Sequence, residues 1–263
     1  MHDVVKRLEA VEKLAHASKI TRFLSRPFRY SMTLLFNKIL YPITKTSIIR
    51  RAHTFFGKDI FVALPAGTDI YLTDGKSHVS ETNLARLLLL QLKQGDIMID
   101  VGAHFGYFSL LASTIVGETG QVVAIEASNR NFKMLQTNTA PEKNIRILHN
   151  AVSDTAGELT FYEFPELYSE YNSMDIKQFD ELDWIKKYRP EKVTVQAISL
   201  DELIQGLPQN PVIIKIDVEG AEFLVAQGMR HFLQENTSGL IVMEYLSPKR
   251  HSTAHQNAKS LIE

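Results

Sequence analysis

Apolar positions recur at helical spacing through the first part of the chain, then give way to short apolar runs separated by helical segments. Val4, Leu8, Val11 and Leu14 fall on one stripe and predict a helix over residues 3–24, ended by Pro27. A second helical stretch is predicted from Tyr30 to Leu40, ahead of Pro42. Two β-rich runs, Ile60–Leu64 and Ile70–Thr73, flank the turn signal Pro65-Ala66-Gly67 and read as a hairpin. Residues 79–93 read as a helix closed by Gly95-Asp96.

From there strands and helices alternate. Ile97–Val101, Val122–Glu126 and Ile145–His149 are short buried-type strands, with helices predicted over 105–116 and 129–139 between them. Asp154-Thr155-Ala156-Gly157 reads as a hairpin turn leading into Glu158–Phe164. Residues 165–192 form a long insertion rich in Tyr, Trp and acids, in which Ile176, Phe179, Leu182 and Ile185 suggest one amphipathic helix. Strands at Val193–Ile198, Val212–Asp217 and Leu240–Leu246 follow, with helices beginning at Leu200 and spanning Ala221–Leu233. This alternation argues a doubly wound, mostly parallel α/β sheet of Rossmann-like kind. The expected division is a basic helical extension (1–60), a hairpin and lead-in helix (61–95), a core (96–246) and a tail or partial helix (247–263).

Composition changes this picture little. Hydrophobic residues at 44% and charged residues at 22% suit a globular chain rather than a disordered one. Cysteine is absent, which excludes disulfides and thiolate chemistry and fits a reducing cytoplasm. No apolar run reaches the roughly 20 residues that span a bilayer, and the N-terminus lacks a secretory signal pattern. A cytoplasmic location is therefore expected. The net charge of −1 conceals an asymmetry: residues 1–60 hold 12 basic and 4 acidic residues, a balance of +8 against −9 for the rest. Such an arm suits a peripheral membrane or partner contact, although Phe28, Leu34, Leu35, Phe36, Ile39, Leu40 and Tyr41 read as packing residues. No nucleic-acid motif accompanies the arm.

The chemistry concentrates at two places. Asp100-Val101-Gly102-Ala103-His104-Phe105-Gly106 lies between a strand and a helix, where glycines let the backbone turn tightly towards a ligand. Asp100 is expected to stand over the crevice, where its carboxylate suits an amino group or a sulfonium better than a pyrophosphate. A dinucleotide fingerprint would carry a middle glycine where His104 stands. Glu126, ending the next strand, would hold ribose hydroxyls with either ligand. The second place is Lys215-Ile216-Asp217-Val218-Glu219-Gly220-Ala221-Glu222, where Lys215 and Asp217 share a strand face and Asp217 reaches the C-terminal edge. Helix-start carboxylates such as Glu219 and Glu222 are also favoured by the helix dipole alone.

The run Ile99 to Leu110 resembles the cofactor motif of the FkbM-type methyltransferases, and Lys215 to Glu222 resembles that family's second hallmark. Glu126, the pair Leu135 and Asn138, Asn150 to Asp154 and Ser199 to Leu203 match between them, over about Val79 to Leu246. The resemblance implies a class I methyltransferase fold, S-adenosyl-L-methionine as cofactor and O-methylation. It places the methionine end of the cofactor on Asp100–Gly106 (with Gly102, Ala103, His104 and Phe105), the ribose on Glu126 beside Ala127, and the adenine near Asn150 and Ala151. Glu81 resembles a family acid near the cofactor. The family commonly has Asn in place of His104 and Pro in place of Ala127. A class I fold normally adds a helix and two strands beyond Leu240–Leu246, so the last strand pair is expected to be missing, with either another segment such as the 60–73 hairpin covering that edge or the chain truncated.

Asp217 and Glu219 are the candidate bases for deprotonating an acceptor hydroxyl, and no metal is expected. Tyr168, Tyr171, Trp184 and Tyr188 in the insertion are candidates for stacking on a small-molecule or glycan acceptor. The alternatives are a catalytically silent binding protein of the same fold and a nicotinamide-dependent oxidoreductase.

Overall fold

A computed structural model of the chain describes residues 2–174, 176, 185, 188–235 and 239–243. Two compact units divide it, one running to Leu92 and one starting at Lys93.

The first unit begins with α1 (His2–His16), whose buried face carries Leu8 and Val11. The predicted 3–24 helix breaks after His16. Ser18 starts α2 (Lys19–Ser25) as an N-cap, its hydroxyl accepting from the Thr21 N–H. Pro27 opens α3 (Pro27–Leu35), where a missing N–H costs nothing. The chain then passes through a π-turn (Phe36–Leu40) into α4 (Tyr41–Thr44), so helix continues through Pro42 instead of ending before it. The wide turn, closed by Tyr41 N–H on the Phe36 carbonyl, relieves the clash a proline ring makes with the carbonyl four residues back. Phe36 and Tyr41 pack inside, but Phe28, Leu34, Leu35, Ile39 and Leu40 lie exposed, which corrects their reading as core.

The hairpin also differs from expectation. β1 (Ile48–His53) pairs antiparallel with β2 (Asp59–Leu64) as a separate two-stranded sheet. The second run becomes α5 (Thr68–Thr73). Its β-forming composition is overridden by local polar bonds: Thr68 Oγ1 donates to the Pro65 carbonyl, and the Asp69 carboxylate accepts from the N–H groups of Ile70 and Ser77. α6 (Val79–Gln91) completes the unit.

The second unit is built on five parallel strands: β3 (Ile97–Val101), β4 (Gln121–Ile125), β5 (Ile145–Leu148), and later β9 and β10. Between the first three run α7 (Tyr107–Val116) and α8 (Asn129–Thr139). β3 is buried at every position, as a strand covered on both faces requires. A three-stranded sheet follows, of β6 (Ala151–Val152), β7 (Gly157–Glu163) and β8 (Glu191–Ile198). Here 154–157 is not a hairpin turn, because β8 lies between β6 and β7 and pairs with both. The eight-residue β8 offers two long bonding edges, whereas the two residues of β6 cannot hold a ladder alone.

α9 (Leu200–Gln205) leads to β9 (Ile213–Ile216), α10 (Glu222–Gln227), α11 (Arg230–Glu235) and β10 (Leu240–Met243). The single helix expected over 221–233 is thus two short ones. At the break Gly228 meets the Ser153 carbonyl so closely that a Cβ would lie 2.1 Å from its oxygen. Asp201 then caps α11 from a distance, accepting from His231 N–H at 3.0 Å and Phe232 N–H at 2.9 Å. One core cluster joins Ile99, Val101, Val123, Ile125, Ile214 and Ile216 to Leu200, Val225 and Phe232.

Among the described residues the sheet order is β10-β9-β3-β4-β5. The chain runs outward from β3 to β5 and returns to β9 on the other side. The direction of winding therefore reverses between β3 and β9, where open α/β sheets form a crevice at the strand C-termini. The sheet is the doubly wound parallel one expected. Phe179, Leu182 and Trp184, and the tail over 247–263, lie outside the described residues.

Candidate functional site

The turn after β3 is anchored from three sides. The N–H groups of Gly102 and Ala103 both donate to the Ile125 carbonyl at 3.0 Å, tying the turn to the end of β4. Asn138 Nδ2 on α8 donates to the Phe105 carbonyl at 2.8 Å, which explains why an asparagine stands on that helix face. Gly102, at φ +75°, lies against the backbone of Asp217, and a Cβ there would sit 1.9 Å from the Asp217 oxygen. Asp217 N–H in turn donates to the Val101 carbonyl at 3.1 Å. The two sequence motifs are thus one assembly, touching backbone to backbone at the reversal point.

Asp100 and Lys215 are direct neighbours across β3 and β9. Lys215 Nζ lies 3.0 Å from Asp100 Oδ1, Ser109 Oγ donates to Asp100 Oδ2 at 2.6 Å, and Asp100 is fully buried. The carboxylate therefore sits beneath the turn, not over the crevice as expected from sequence. Lys215 also donates to the Gly102 carbonyl at 3.1 Å and lies 3.3 Å from Asp217 Oδ2. Asp217 is the open end of this chain of charges, its side chain 38% exposed. Glu219 is half-buried, at a positive φ of 48°, with its carbonyl accepting from Ser173 Oγ.

Glu126 takes the place expected at the end of β4. Its carboxylate accepts from His104 N–H at 2.7 Å and Ser128 N–H at 2.9 Å. Burial nevertheless pushes it up to about 7, the two backbone bonds opposing that shift only in part. His104 adopts a positive φ of 52°, stacks on Phe105 with ring centroids 3.7 Å apart, and brings Nε2 within 3.1 Å of Ser169 Oγ. Ala127 is half-buried beside Glu126, while Ala151 is buried in β6 and Asn150 reaches the Gln196 carbonyl at 3.4 Å.

Ser169 and Ser173 are the residues sequence reasoning missed. Both belong to the start of the insertion, and they fasten it to His104 and to Glu219, one from each motif. Two serines in an irregular segment carry no periodic signal, so nothing in the sequence marked them. Next to them Tyr168 contacts Tyr171 and Tyr188, with ring centroids 6.3 and 5.0 Å apart. Glu81, in the first unit, forms a capping box with His78 at the start of α6 and pairs with Lys76. Asp69, buried near Lys76, is raised above the usual carboxylate range by that burial. Among the described residues no group of three His, Asp or Glu side chains is arranged to hold a metal ion.

The chain is similar to hexuronic acid methyltransferase AglP of Haloferax volcanii, 28% identical over 157 residues, or 59% of this chain and 58% of that one. It is also 23% identical over 159 residues to a probable cobalt-precorrin-6B C(15)-methyltransferase of Saccharolobus solfataricus, covering 57% of this chain and 76% of the relative. A solved structure of methyltransferase FkbM from Methylobacillus flagellatus aligns over 74% of this chain and 44% of its own, at 17% identity and a TM-score of 0.40. The chain therefore spans little more than half of the AglP relative and less than half of that structure. The Methyltransferase FkbM domain matches residues 100–260, from the buried Asp100 through both motifs and beyond, which is more than half of the sequence. A match of that extent, over the two motifs that the fold welds into one site, makes this chain a member of the FkbM methyltransferase family.

Proposed function

We propose that the chain transfers a methyl group from S-adenosyl-L-methionine to a hydroxyl of a small molecule or glycan. The observation that carries this reading is Glu126, a buried carboxylate at the end of β4 that also holds the His104 N–H of the turn. A carboxylate pushed up to about 7 by burial gains from further hydroxyl donors, and the paired hydroxyls of a ribose are such donors. A turn carrying His104 at its centre suits a cofactor without a pyrophosphate. In the proposal the Gly102–Gly106 backbone receives the methionine end, Ala127 flanks the ribose, and Asn150 and Ala151 flank the adenine. Asp100 acts from below, holding Lys215 and Ser109 and so the turn itself.

The cofactor supplies an already activated methyl on a sulfonium. The protein's share is to align the acceptor oxygen, exclude water and take the proton. Asp217 is the best-placed base, since it is partly exposed at the end of β9, with Lys215 Nζ 3.3 Å from its carboxylate. Glu219 is the second candidate. As an acceptor oxygen takes up that methyl, its hydroxyl proton would pass to one of these carboxylates. Tyr168, Tyr171 and Tyr188 are the proposed acceptor wall, and the likeness to AglP supports a hexuronic acid as the first acceptor to test.

S-adenosylhomocysteine is expected to raise Tm. Asp217→Asn should keep that shift yet lose transfer of labelled methyl to hexuronic acid glycosides. The absence of any shift on folded protein overturns the reading, as does a shift with NAD and none with S-adenosylhomocysteine.

A further inference from the structure

The first unit carries a surface that methyl transfer does not use. From Lys13 to Lys58 the chain holds ten Lys/Arg and no Asp or Glu. Within it, Ile20, Leu24 and Phe28 follow at four-residue steps, as do Leu35, Ile39 and Ile43. All six are exposed: Phe28 is 90% accessible, Ile43 76%, Ile20 72% and Leu24 70%. Phe36 and Tyr41, of the same helical run, are buried. The unit therefore has its own core, and these six exposed apolar side chains lie outside it, along its consecutive short helices. Lys19, Lys38, Lys45 and Arg50 are exposed among them.

We propose that residues 19–50 form a docking surface for an anionic lipid bilayer, lying on it without crossing it. Exposed Phe, Leu and Ile side chains flanked by Lys and Arg match the two demands of that interface: apolar tips enter the acyl boundary and cations meet the headgroup phosphates. Nucleic acid would use the cations but leave six large apolar side chains in water. Among the described residues no helix is long and apolar enough to cross a membrane, in keeping with a surface-bound arrangement. The unbroken positive sign of the segment fixes the partner's charge as negative.

The test is flotation of the full chain with vesicles of phosphatidylcholine alone and of phosphatidylcholine with phosphatidylglycerol. The expected result is flotation only with the anionic vesicles, weakening as salt is raised. Phe28→Ser with Ile43→Ser should reduce partitioning by about tenfold or more, since each removes a buried-on-binding side chain. Lys38→Glu with Lys45→Glu should reduce it as well. Circular dichroism and the thermal response to S-adenosylhomocysteine report whether each variant is folded, independently of lipid. No flotation with anionic vesicles, equal flotation with neutral ones, or full flotation of the Phe28/Ile43 variant overturns the proposal. So does a dimer in light scattering that the Phe28/Ile43 variant abolishes while vesicles recover no protein.

Discussion

Lys215 Nζ stands 3.0 Å from Asp100 Oδ1, with 5% and 1% of the two side chains exposed, at directly opposed positions of β9 and β3. Removing Lys215 leaves the Asp100 carboxylate buried without an opposite charge, and removing Asp100 leaves Lys215 with only the partly exposed Asp217. Lys215→Met is therefore expected to destabilise the protein by about 3–5 kcal/mol. Asp100→Ala should cost a similar amount and abolish the thermal response to S-adenosylhomocysteine, because the turn loses its support. In a double-mutant cycle by urea denaturation, Asp100→Asn with Lys215→Met should cost less than the sum of the two single changes.

Gly102→Ala introduces a Cβ 1.9 Å from a backbone oxygen at a φ of +75°. A loss on the order of 3 kcal/mol or more is expected, together with loss of cofactor response. Gly206→Ala is the matched control, where the new Cβ meets nothing nearer than 3.5 Å at an ordinary φ. Its Tm should stay close to that of the unaltered protein.

Glu126 gives a pH signature. Its carboxyl is raised from 4.5 to about 7 in the folded protein, so between those values the folded state binds more protons than the unfolded one. Stability should then fall as pH rises from 4.5 to 7 and the contribution should level off above, by on the order of 3 kcal/mol in all. Unfolding measured across that window, the unaltered protein minus Glu126→Gln, isolates this slope. A difference that rises with pH would contradict the assignment.

Asp201→Ala removes the carboxylate that caps α11 through His231 and Phe232. A loss of about 1–2 kcal/mol is expected, and Asp201→Asn, with one acceptor oxygen for the two N–H groups, should restore only part of it. Chemical denaturation of the three proteins suffices.

Much of the second unit was legible because its strands are short, mostly apolar and separated by amphipathic helices. Ile97–Val101, Val122–Ile125 and Ile213–Ile216 pair in parallel as the alternation implies, and Glu126 stands where the strand pattern ends it. Local chemistry defeated the pattern elsewhere. Ile70–Thr73 has strand composition but is held as helix by bonds of Thr68 and Asp69 to nearby backbone. The break at Gly228 is imposed by a carbonyl 75 residues earlier, at Ser153, which no periodicity can register. At the site, the residue types were readable but not their direction. A strand-end aspartate reads as ligand-facing, and only the opposed Lys215 turns Asp100 into an internal support.

The same lysine has a consequence for assembly. β9 reads Ile-Ile-Lys-Ile, and without Lys215 a strand of interchangeable apolar residues would fit beside β3 in several offsets at nearly equal energy. Sliding by one residue would turn the ammonium into the opposite, hydrocarbon face, and sliding by two would move it off Asp100. Each misaligned sheet would thus strand a charge in the interior, so faulty offsets are self-rejecting before the crevice can form.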